Sequence, residues 1–427
     1  MFTRDRLFKK IEKITKTDIR YLLRSSIWLN ANYGVSSLAS FVLSIGLANF
    51  LSKDTFGIYQ FIISFGSFVA AFTLTGMNTA ITKAVASGDD GFVLRSIKSQ
   101  FTWNTLVSFI PLCAALYYLY KGNLLYTGML VILAIAIPYI TTYNSYSAFL
   151  IGKGNFRQHF LYTTALSLIY VVPMLIVIYA IPNPLALVCT YYVTNALGNY
   201  LLFKRVITQY ALKEHQVTEK NESLLAYGKK LSISNILPSM LTTIDTILVY
   251  HFIGPAYLAI YTITFNIPER IIGVLRTITS AAVPKFSKHT PESLRGVIGG
   301  KVLRMFLVAS FCSLVYILCA PFLFHLFFPS YSDYITLTRI ASISAVFAIT
   351  ASFALTALIS SHQSIIVHRV NTLYPLLSII SIVVGITLAG VTGAVIGKGI
   401  GSLCTILVVL IAMKHTKTVT SHEEALK

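Results

Sequence analysis

The chain has 427 residues, of which 55% are hydrophobic and only 11% are charged, and its mean hydropathy is +0.72. Soluble globular proteins carry roughly 25% charged residues, so this composition excludes a soluble protein and indicates a membrane protein. The net charge of +19 is compatible with either nucleic acid or anionic lipid as a partner, and the positions of the basic residues decide between them.

Apolar runs of roughly 20 residues or more, long enough to cross a bilayer, follow a basic segment at 1–26. The first six runs occupy 27–51, 57–82, 101–120, 124–151, 161–181 and 184–203. After a polar segment at 204–230, six more occupy 231–253, 258–284, 305–328, 335–361, 370–388 and 391–413, followed by a tail at 414–427. The sequence therefore predicts an all-α polytopic membrane protein with 12 transmembrane helices. We expect two six-helix bundles, at 27–203 and 231–413, joined by a cytoplasmic linker.

The basic residues are distributed unevenly between the two sides of these spans. If the runs cross the membrane alternately, 28 of the 34 Lys and Arg residues fall on one side, and only Lys53 and Lys121 fall on the other. Because cytoplasmic loops carry an excess of Lys and Arg, both termini are predicted to be cytoplasmic. Topology and anionic headgroups then account for most of the positive charge, which makes nucleic-acid binding unnecessary.

The two sets of six spans contain an internal repeat. Residues 50–65, FLSKDTFGIYQFIISF, align without gaps with 252–267, FIGPAYLAIYTITFNI, at an offset of 202 that pairs Tyr59 with Tyr261. Because six spans separate the copies, the repeats are predicted to be parallel and related by a pseudo-two-fold axis along the membrane normal. Transporters often bind substrate where such halves meet, which favours a transport function.

Charged residues inside predicted spans all fall in the second half of the chain. They are Asp245, Glu269, Arg270, Arg276, Arg339 and Lys398. Charges are costly in a bilayer and mark functional sites, and their sum of +2 favours an anionic substrate. Arg276 is the leading candidate to bind a diphosphate, since a guanidinium forms directional, charge-assisted bonds to phosphate oxygens. The alternative is an ion pair of Glu269 with Arg270 or Arg276 that only joins helices.

Further candidates complete the predicted site. The substrate-binding candidates are Arg276, Arg270, Lys398, Asn30 and Asn78. Packing among small residues is the simpler account of the glycines around Lys398, and each Asn bonds either sugars or neighbouring helices. Asp245 and Glu269 are the ion-coupling candidates, and the partner of Asp245 is a proton, Na⁺ or a basic residue on the eighth span. The repeat pairs Asp245 with the apolar Leu43, so the acid belongs to one half only. No catalytic residue, metal site or cofactor is predicted, apart from H⁺ or Na⁺ coupling.

Several motifs and the 6+6 layout carry a family resemblance. They are LSKDTFGIYQF, LTGMNTAITKAVA, and IDTILVYHFIG leading into AIYTITFNIPERIIGVLRTITSAAVPKFSKH. With these the chain resembles the Wzx-type polysaccharide flippases of the multidrug/oligosaccharidyl-lipid/polysaccharide exporter superfamily. The resemblance implies a V-shaped pair of bundles around a central cavity, which moves undecaprenyl-diphosphate-linked oligosaccharides from the inner to the outer leaflet of the bacterial cytoplasmic membrane. The expected partners are this lipid-linked oligosaccharide, membrane lipid, a polysaccharide polymerase and chain-length machinery.

Two alternative functions stay open at this point. Multidrug and toxic-compound cation antiporters of the same superfamily have the same layout, but they tend towards acidic cavities. A membrane glycan polymerase or ligase needs an outer loop that holds a catalytic site, and the outer connections here are roughly 2 to 6 residues long, so no enzyme is predicted. Lipid II flippases are also similar, but they usually carry two further spans and an arginine in a segment that here reads GIYQFIISFGSF. The choice of O-antigen, capsule, exopolysaccharide or teichoic-type glycan is left open.

Overall fold

The computed structural model describes residues 19–213, 219–286, 291–359 and 364–415. The predicted tails at 1–26 and 414–427 lie mostly outside the described residues, as do 214–218 of the predicted linker. Within the described ranges every regular element is a helix, which confirms the all-α prediction.

Fifteen α-helices and one 3₁₀-helix make up the described chain. The first nine are α1 (Ile19–Phe50), α2 (Lys53–Ala70), α3 (Met77–Ala86), α4 (Phe92–Val107), α5 (Phe109–Tyr120), α6 (Leu124–Tyr143), α7 (Ser145–Gly152), α8 (Phe156–Ala180) and α9 (Pro184–Gln209). The rest are α10 (Glu219–Leu241), α11 (Ile244–Ile253), α12 (Pro255–Phe286), α13 (Pro291–Phe327), the 3₁₀-helix Pro329–Tyr334, α14 (Ile335–Ile359) and α15 (Ser364–His415). The last two predicted spans share α15, which is broken at Ala389 and Gly390.

Length and composition identify the membrane spans among these helices. Eight helical segments of the described chain are long and apolar enough to cross a membrane, and nine if α10 and α11, bent by 40° at their junction, form one span. The count is below twelve in part because predicted spans eleven and twelve fall in one segment, Leu376–Ile411. The protein is therefore a multi-pass membrane protein.

Contacts divide the described chain into two compact units. Unit 1 holds the residues up to Leu43 and Val69–Ile236, and unit 2 holds Ser44–Phe68 and the residues from Leu237 onward. These boundaries run through α1, α2 and α10. The bundle limits at 27–203 and 231–413 stay a prediction.

In unit 1 the second predicted span is interrupted at 71–76, and side chains of α4 pair the backbone groups that the interruption exposes. The carboxamide oxygen of Asn104 accepts a hydrogen bond from the Leu74 amide at 3.2 Å, and its nitrogen donates to two threonine hydroxyls of α6 at 2.9 and 3.0 Å. The indole N–H of Trp103 donates to the Phe72 carbonyl at 3.0 Å. A helix can break at membrane depth only where its freed backbone groups find such partners.

In unit 2 the helix α2 packs against the start of α12, so the two aligned segments of the repeat contact each other. A Cβ on Gly57 would lie 1.8 Å from the carbonyl oxygen of Pro255, so glycine alone permits this approach. Phe61 stacks on Tyr250 of α11 with ring centroids 3.9 Å apart. The helix α2 begins at Lys53 and α12 begins at Pro255, which reproduces the offset of 202 in the repeat.

Each unit has its own apolar core. In unit 1 the core lies where α3, α4, α7 and α9 meet, around fully buried side chains such as Ile81 and Phe149. In unit 2 it lies among α12, α13, α14 and the end of α15, around Ile349 and Val409. Glu269 and Lys398, described next, lie on α12 and α15, two of the helices that form the core of unit 2.

Candidate functional site

Four side chains of unit 2 form a charged cluster, which consists of Asp245, Tyr261, Glu269 and Lys398. The Lys398 ammonium lies 2.8 Å from Asp245 Oδ2 and 3.2 Å from Glu269 Oε1. The Tyr261 hydroxyl donates a hydrogen bond to the same Asp245 oxygen at 2.8 Å. Two carboxylates thus share one ammonium, and the cluster carries one excess negative charge.

The position of each cluster residue follows from a local feature of its helix. Asp245 lies in the first turn of α11, immediately after the bend that ends α10, and its Oδ1 accepts a hydrogen bond from the Thr246 amide at 2.9 Å. Tyr261 and Glu269 lie eight residues apart on α12, roughly two helical turns, and so point to similar sides of the helix. Lys398 follows the break in α15, where Gly390 has a φ of +57°.

The glycines beside Lys398 allow close packing of α15, as the sequence predicted. A Cβ on Gly397 would lie 2.3 Å from the carbonyl oxygen of Ser381, and one on Gly399 would lie 2.7 Å from the Ser344 hydroxyl. The second half of α15 therefore approaches both its own first half and α14 at backbone distance. This packing holds the lysine stem where its ammonium meets the two carboxylates.

The members of the charged cluster differ widely in exposure. Asp245 is 3% exposed, whereas the side chains of Lys398 and Glu269 are 27% and 57% exposed. The ammonium also lies 4.3 Å from the ring centroid of Phe265, within the range of a cation–π contact. Asp245 therefore depends on its protein partners, while Glu269 can be solvated on its own.

The sequence left the partner of Asp245 open among a proton, Na⁺ and a basic residue of the eighth span. In the structure Asp245 forms an ion pair with Lys398, which belongs to the last predicted span. Glu269 also binds Lys398, while the guanidinium of Arg270 donates from Nε to Asn266 at 3.2 Å. Spacing along one helix identified the nearest charges in sequence, but the cation that bridges both acids comes from another helix.

The remaining predicted residues lie in different places. Arg276 is exposed on α12 and within electrostatic range of the Tyr374 hydroxyl, as are Lys398 and Asp245. Asn30 and Asn78 belong to unit 1, Asn30 exposed on α1 and Asn78 half-buried on α3. The role of each of these residues in binding stays a prediction.

Tyr261 is the one cluster residue that the sequence did not single out. Its hydroxyl is the donor that fixes Asp245, and its side chain is 2% exposed. Tyrosine is counted among the hydrophobic residues in the composition of the chain, so the composition of this span gave no signal for a polar role of Tyr261. The repeat gave one, since Tyr261 is aligned with Tyr59, which is also buried.

Sequence comparison relates the chain to a known protein family. A family model described as "Polysaccharide biosynthesis protein" matches residues 22–290, more than half of the chain. No curated protein sequence matches the chain significantly.

Solved structures share the fold at low sequence identity. A multidrug resistance MATE family transporter of the MOP superfamily in an inward-facing conformation has a TM-score of 0.68 and 14% identity, over 90% of this chain and 96% of that chain. An outward-facing conformation of such a transporter has a TM-score of 0.65 and 16% identity, over 93% and 97%. The lipid II flippase MurJ, in an inward closed conformation, has a TM-score of 0.70 and 14% identity, over 91% and 87%. At these identities the likeness shows a shared fold. The family model, which matches more than half of the chain, shows that the chain belongs to the polysaccharide biosynthesis protein family.

Proposed function

We propose that the chain is a flippase that moves undecaprenyl-diphosphate-linked oligosaccharide repeat units from the inner to the outer leaflet of the bacterial cytoplasmic membrane, for surface polysaccharide synthesis. The family match and the fold shared with a lipid II flippase support this proposal. The observation that carries it is the position of Lys398. This lysine belongs to an apolar helix, and its ammonium contacts one buried and one exposed carboxylate.

The unequal burial of the two carboxylates makes Lys398 available to an anionic ligand. Freeing Asp245 would leave a buried charge without its cation, which is costly. Glu269 is largely exposed and its contact is the longer one, so water can solvate it after release. A diphosphate oxygen therefore replaces Glu269 at the ammonium, while Asp245 and Tyr261 keep the ammonium in position.

Two guanidinium groups on α12 add to this anion-binding character. Arg270 and Arg276 follow Glu269 by one and seven residues, and Asn266 orients Arg270. Counting the charged cluster with these arginines gives a net charge of +1, which suits a diphosphate better than a cationic drug. Guanidinium groups bind phosphate oxygens through two parallel hydrogen bonds.

Ion coupling follows from the same exchange. When a diphosphate takes the place of Glu269, the released carboxylate becomes free to bind H⁺ or Na⁺. Binding of substrate and binding of the coupling ion are thereby linked at one side chain, and Asp245 contributes by retaining Lys398. Alternating access then spares the diphosphate and the sugars from hydrocarbon, where each unpaired polar group costs roughly 2–7 kcal/mol.

Complementation of a deletion strain tests this function. We expect Lys398→Met and Arg276→Ala each to lower the amount of surface polysaccharide about tenfold or more, because a charge-assisted hydrogen bond contributes about 1.5–3 kcal/mol. The matched control is Arg339→Gln, which removes a positive charge of unit 2 outside the charged cluster and should restore normal polysaccharide.

The outcomes separate this function from its alternatives. Normal polysaccharide with both Lys398→Met and Arg276→Ala, at wild-type protein levels, would show that the anion site is elsewhere. A deletion strain that keeps its polysaccharide but becomes sensitive to cationic drugs would identify a multidrug antiporter. Accumulation of lipid-linked repeat units on the inner leaflet of the deletion strain would instead exclude a polymerase or ligase, since those act after translocation.

A further inference from the structure

A polar groove lies in unit 1, between α3 and α7. Its volume is about 290 Å³, and it opens to the surface. Its polar lining consists of Asn78, Thr79, Thr82 and Lys83 from α3 and Ser147 from α7. The α3 residues recur at helical spacing and so share one face of that helix. Lys83 marks the end of the groove at the side predicted to be cytoplasmic, which is the side from which a flippase loads its substrate.

Some hydrogen-bonding groups of the α3 groove are used within the protein, and others are not. The Thr82 hydroxyl contacts the carbonyl oxygens of Asn78 and Ala148 at 2.9 and 3.2 Å, and so joins α3 to α7. The side-chain oxygen of Asn78 accepts a hydrogen bond from Ser145 at 3.3 Å. Within the described part of the chain the Asn78 amide nitrogen and the Thr79 hydroxyl have no partner, so both can donate to a ligand.

A buried histidine sets the direction of the Ser147 hydroxyl. His159 is 5% exposed, its Nε2 lies 2.9 Å from Ser147 Oγ, and its Nδ1 has no partner among the described residues. A buried N–H without an acceptor is rarer than an unpaired acceptor, so we assign the proton to Nε2. Nε2 then donates to Ser147, and the serine hydroxyl donates its own proton into the α3 groove.

Lys83 adds a cation beside an aromatic ring. Its ammonium donates to the Tyr227 hydroxyl at 2.8 Å and lies 4.1 Å from the ring centroid. One of its three N–H groups is used in this way, so two stay available to a ligand. Tyr227 is 38% exposed, and Lys83 is the one charged side chain among the residues that line the α3 groove.

We propose that the α3 groove binds the saccharide–phosphate head of the lipid-linked substrate, with phosphate at Lys83 and the first sugar against Asn78 and Ser147. This rests on the function proposed above and assigns the substrate a second, separate subsite. Amide and hydroxyl donors that face outward suit the hydroxyl and carbonyl oxygens of a sugar. The volume lies at the lower limit of small-molecule pockets, roughly 300 Å³, so it fits one sugar with its phosphate and not a whole repeat unit.

Equilibrium binding to the full chain in detergent tests the subsite. The probes are farnesyl-diphospho-N-acetylglucosamine, farnesyl diphosphate without a sugar, and dihexanoyl phosphatidylglycerol as a plain lipid phosphate. We expect Lys83→Gln to weaken binding of both diphosphate probes by roughly 10- to 100-fold. Asn78→Ala and Ser147→Ala should weaken binding of the sugar-bearing probe alone, by roughly 3- to 10-fold.

Controls keep the test decisive. Lys204→Gln removes an exposed charge of unit 1 from the same predicted side of the membrane, outside the α3 groove, and should bind every probe as the wild type does. Melting temperatures of the variants show whether each one is folded. Lys83→Gln is the conservative choice because a glutamine can still donate to Tyr227.

Distinct results would overturn the subsite and the proposed function. Wild-type affinity in Lys83→Gln, or no binding of the sugar-bearing probe by the wild type, contradicts the subsite. Equal binding of all three probes, with no effect of Asn78→Ala, would identify a general lipid-headgroup site in its place. If the wild type fails to complement the deletion strain while the subsite variants lose binding as expected, the proposed function fails and the subsite stands.

Discussion

Replacing Lys398 with methionine is expected to destabilise unit 2, because the substitution leaves the Asp245 carboxylate buried without its cation. Methionine keeps the length and apolar stem of the lysine, so the effect reports the charge and not a cavity. Two hydrogen bonds to the carboxylate remain, from the Tyr261 hydroxyl and from the Thr246 amide. These hydrogen bonds reduce the loss of stability, but they supply no positive charge to compensate the carboxylate.

The size of the effect follows from the burial of the pair. Removing one partner of a buried ion pair costs about 3–5 kcal/mol. Since the Lys398 side chain is 27% exposed and Asp245 only 3%, we expect the lower end of that range, about 3 kcal/mol. For a unit of this size, each kcal/mol lowers Tm by about 2–4 °C, so Tm should fall by about 6–12 °C.

A double-mutant cycle with Asp245→Asn isolates the pair. Asp245→Asn alone should cost less than Lys398→Met, because it leaves Lys398 bridged to Glu269 at 3.2 Å. The double variant should regain at least half of the loss, since no buried charge then lacks a partner. The measurement is loss of the monodisperse peak in size-exclusion chromatography after heating in detergent, with Arg339→Gln as the single-charge control. A Tm for Lys398→Met equal to that of the wild type, or strictly additive effects in the cycle, would refute the reasoning.

Two further substitutions probe contacts inside unit 2. Gly57→Ala should lower the free energy of unfolding by about 3 kcal/mol or more, because its Cβ would lie 1.8 Å from a carbonyl oxygen of α12. The control is Gly34→Ala, whose Cβ would meet nothing within 4 Å, so this variant should be neutral or slightly stabilising. Equal melting temperatures for these two alanine variants would contradict the close contact of α2 with α12. Tyr261→Phe should cost about 1.5–3 kcal/mol, since it removes a hydrogen bond to the charged Asp245, and the same melting assay measures it. A phenylalanine variant as stable as the wild type would show that the hydroxyl does not hold the carboxylate.

Much of the helical architecture could be predicted because apolar runs report helices without reference to their neighbours. The boundary predicted between 370–388 and 391–413 falls at the observed break of α15 at Ala389 and Gly390. The interruption at 71–76 was not predicted, because those residues, AFTLTG, are nearly as apolar as a helix interior. What maintains that interruption is Asn104, a side chain some thirty residues away, and hydropathy contains no such tertiary information.

The three charged residues of the cluster could be predicted from the sequence, but their contacts and the role of Tyr261 could not. A charged side chain is costly in a bilayer, so Asp245, Glu269 and Lys398 are candidate functional residues whatever their neighbours are. Their pairing depends on how α15 packs against α11 and α12, and 153 residues separate Lys398 from Asp245. Helical spacing offered Arg270 and Arg276 of α12 as alternative partners, and no pattern in the sequence ranks them against a lysine of another helix.

The repeat separates what the two halves share from what one half adds. At the offset of 202, Tyr261 corresponds to Tyr59, and both side chains are buried, whereas Asp245 corresponds to the buried Leu43 and Glu269 to Ser67. The helix starts and the tyrosine therefore belong to the duplicated scaffold, and the carboxylates do not. The intramembrane charges predicted from the sequence all lie in the second half, so the anion site proposed at Lys398 belongs to that half. The first half offers amide and hydroxyl donors with a cation at one end, the chemistry of a sugar beside a phosphate. We infer that duplication supplied the framework of the transporter, and that its two copies diverged in the polar groups that they offer to one substrate.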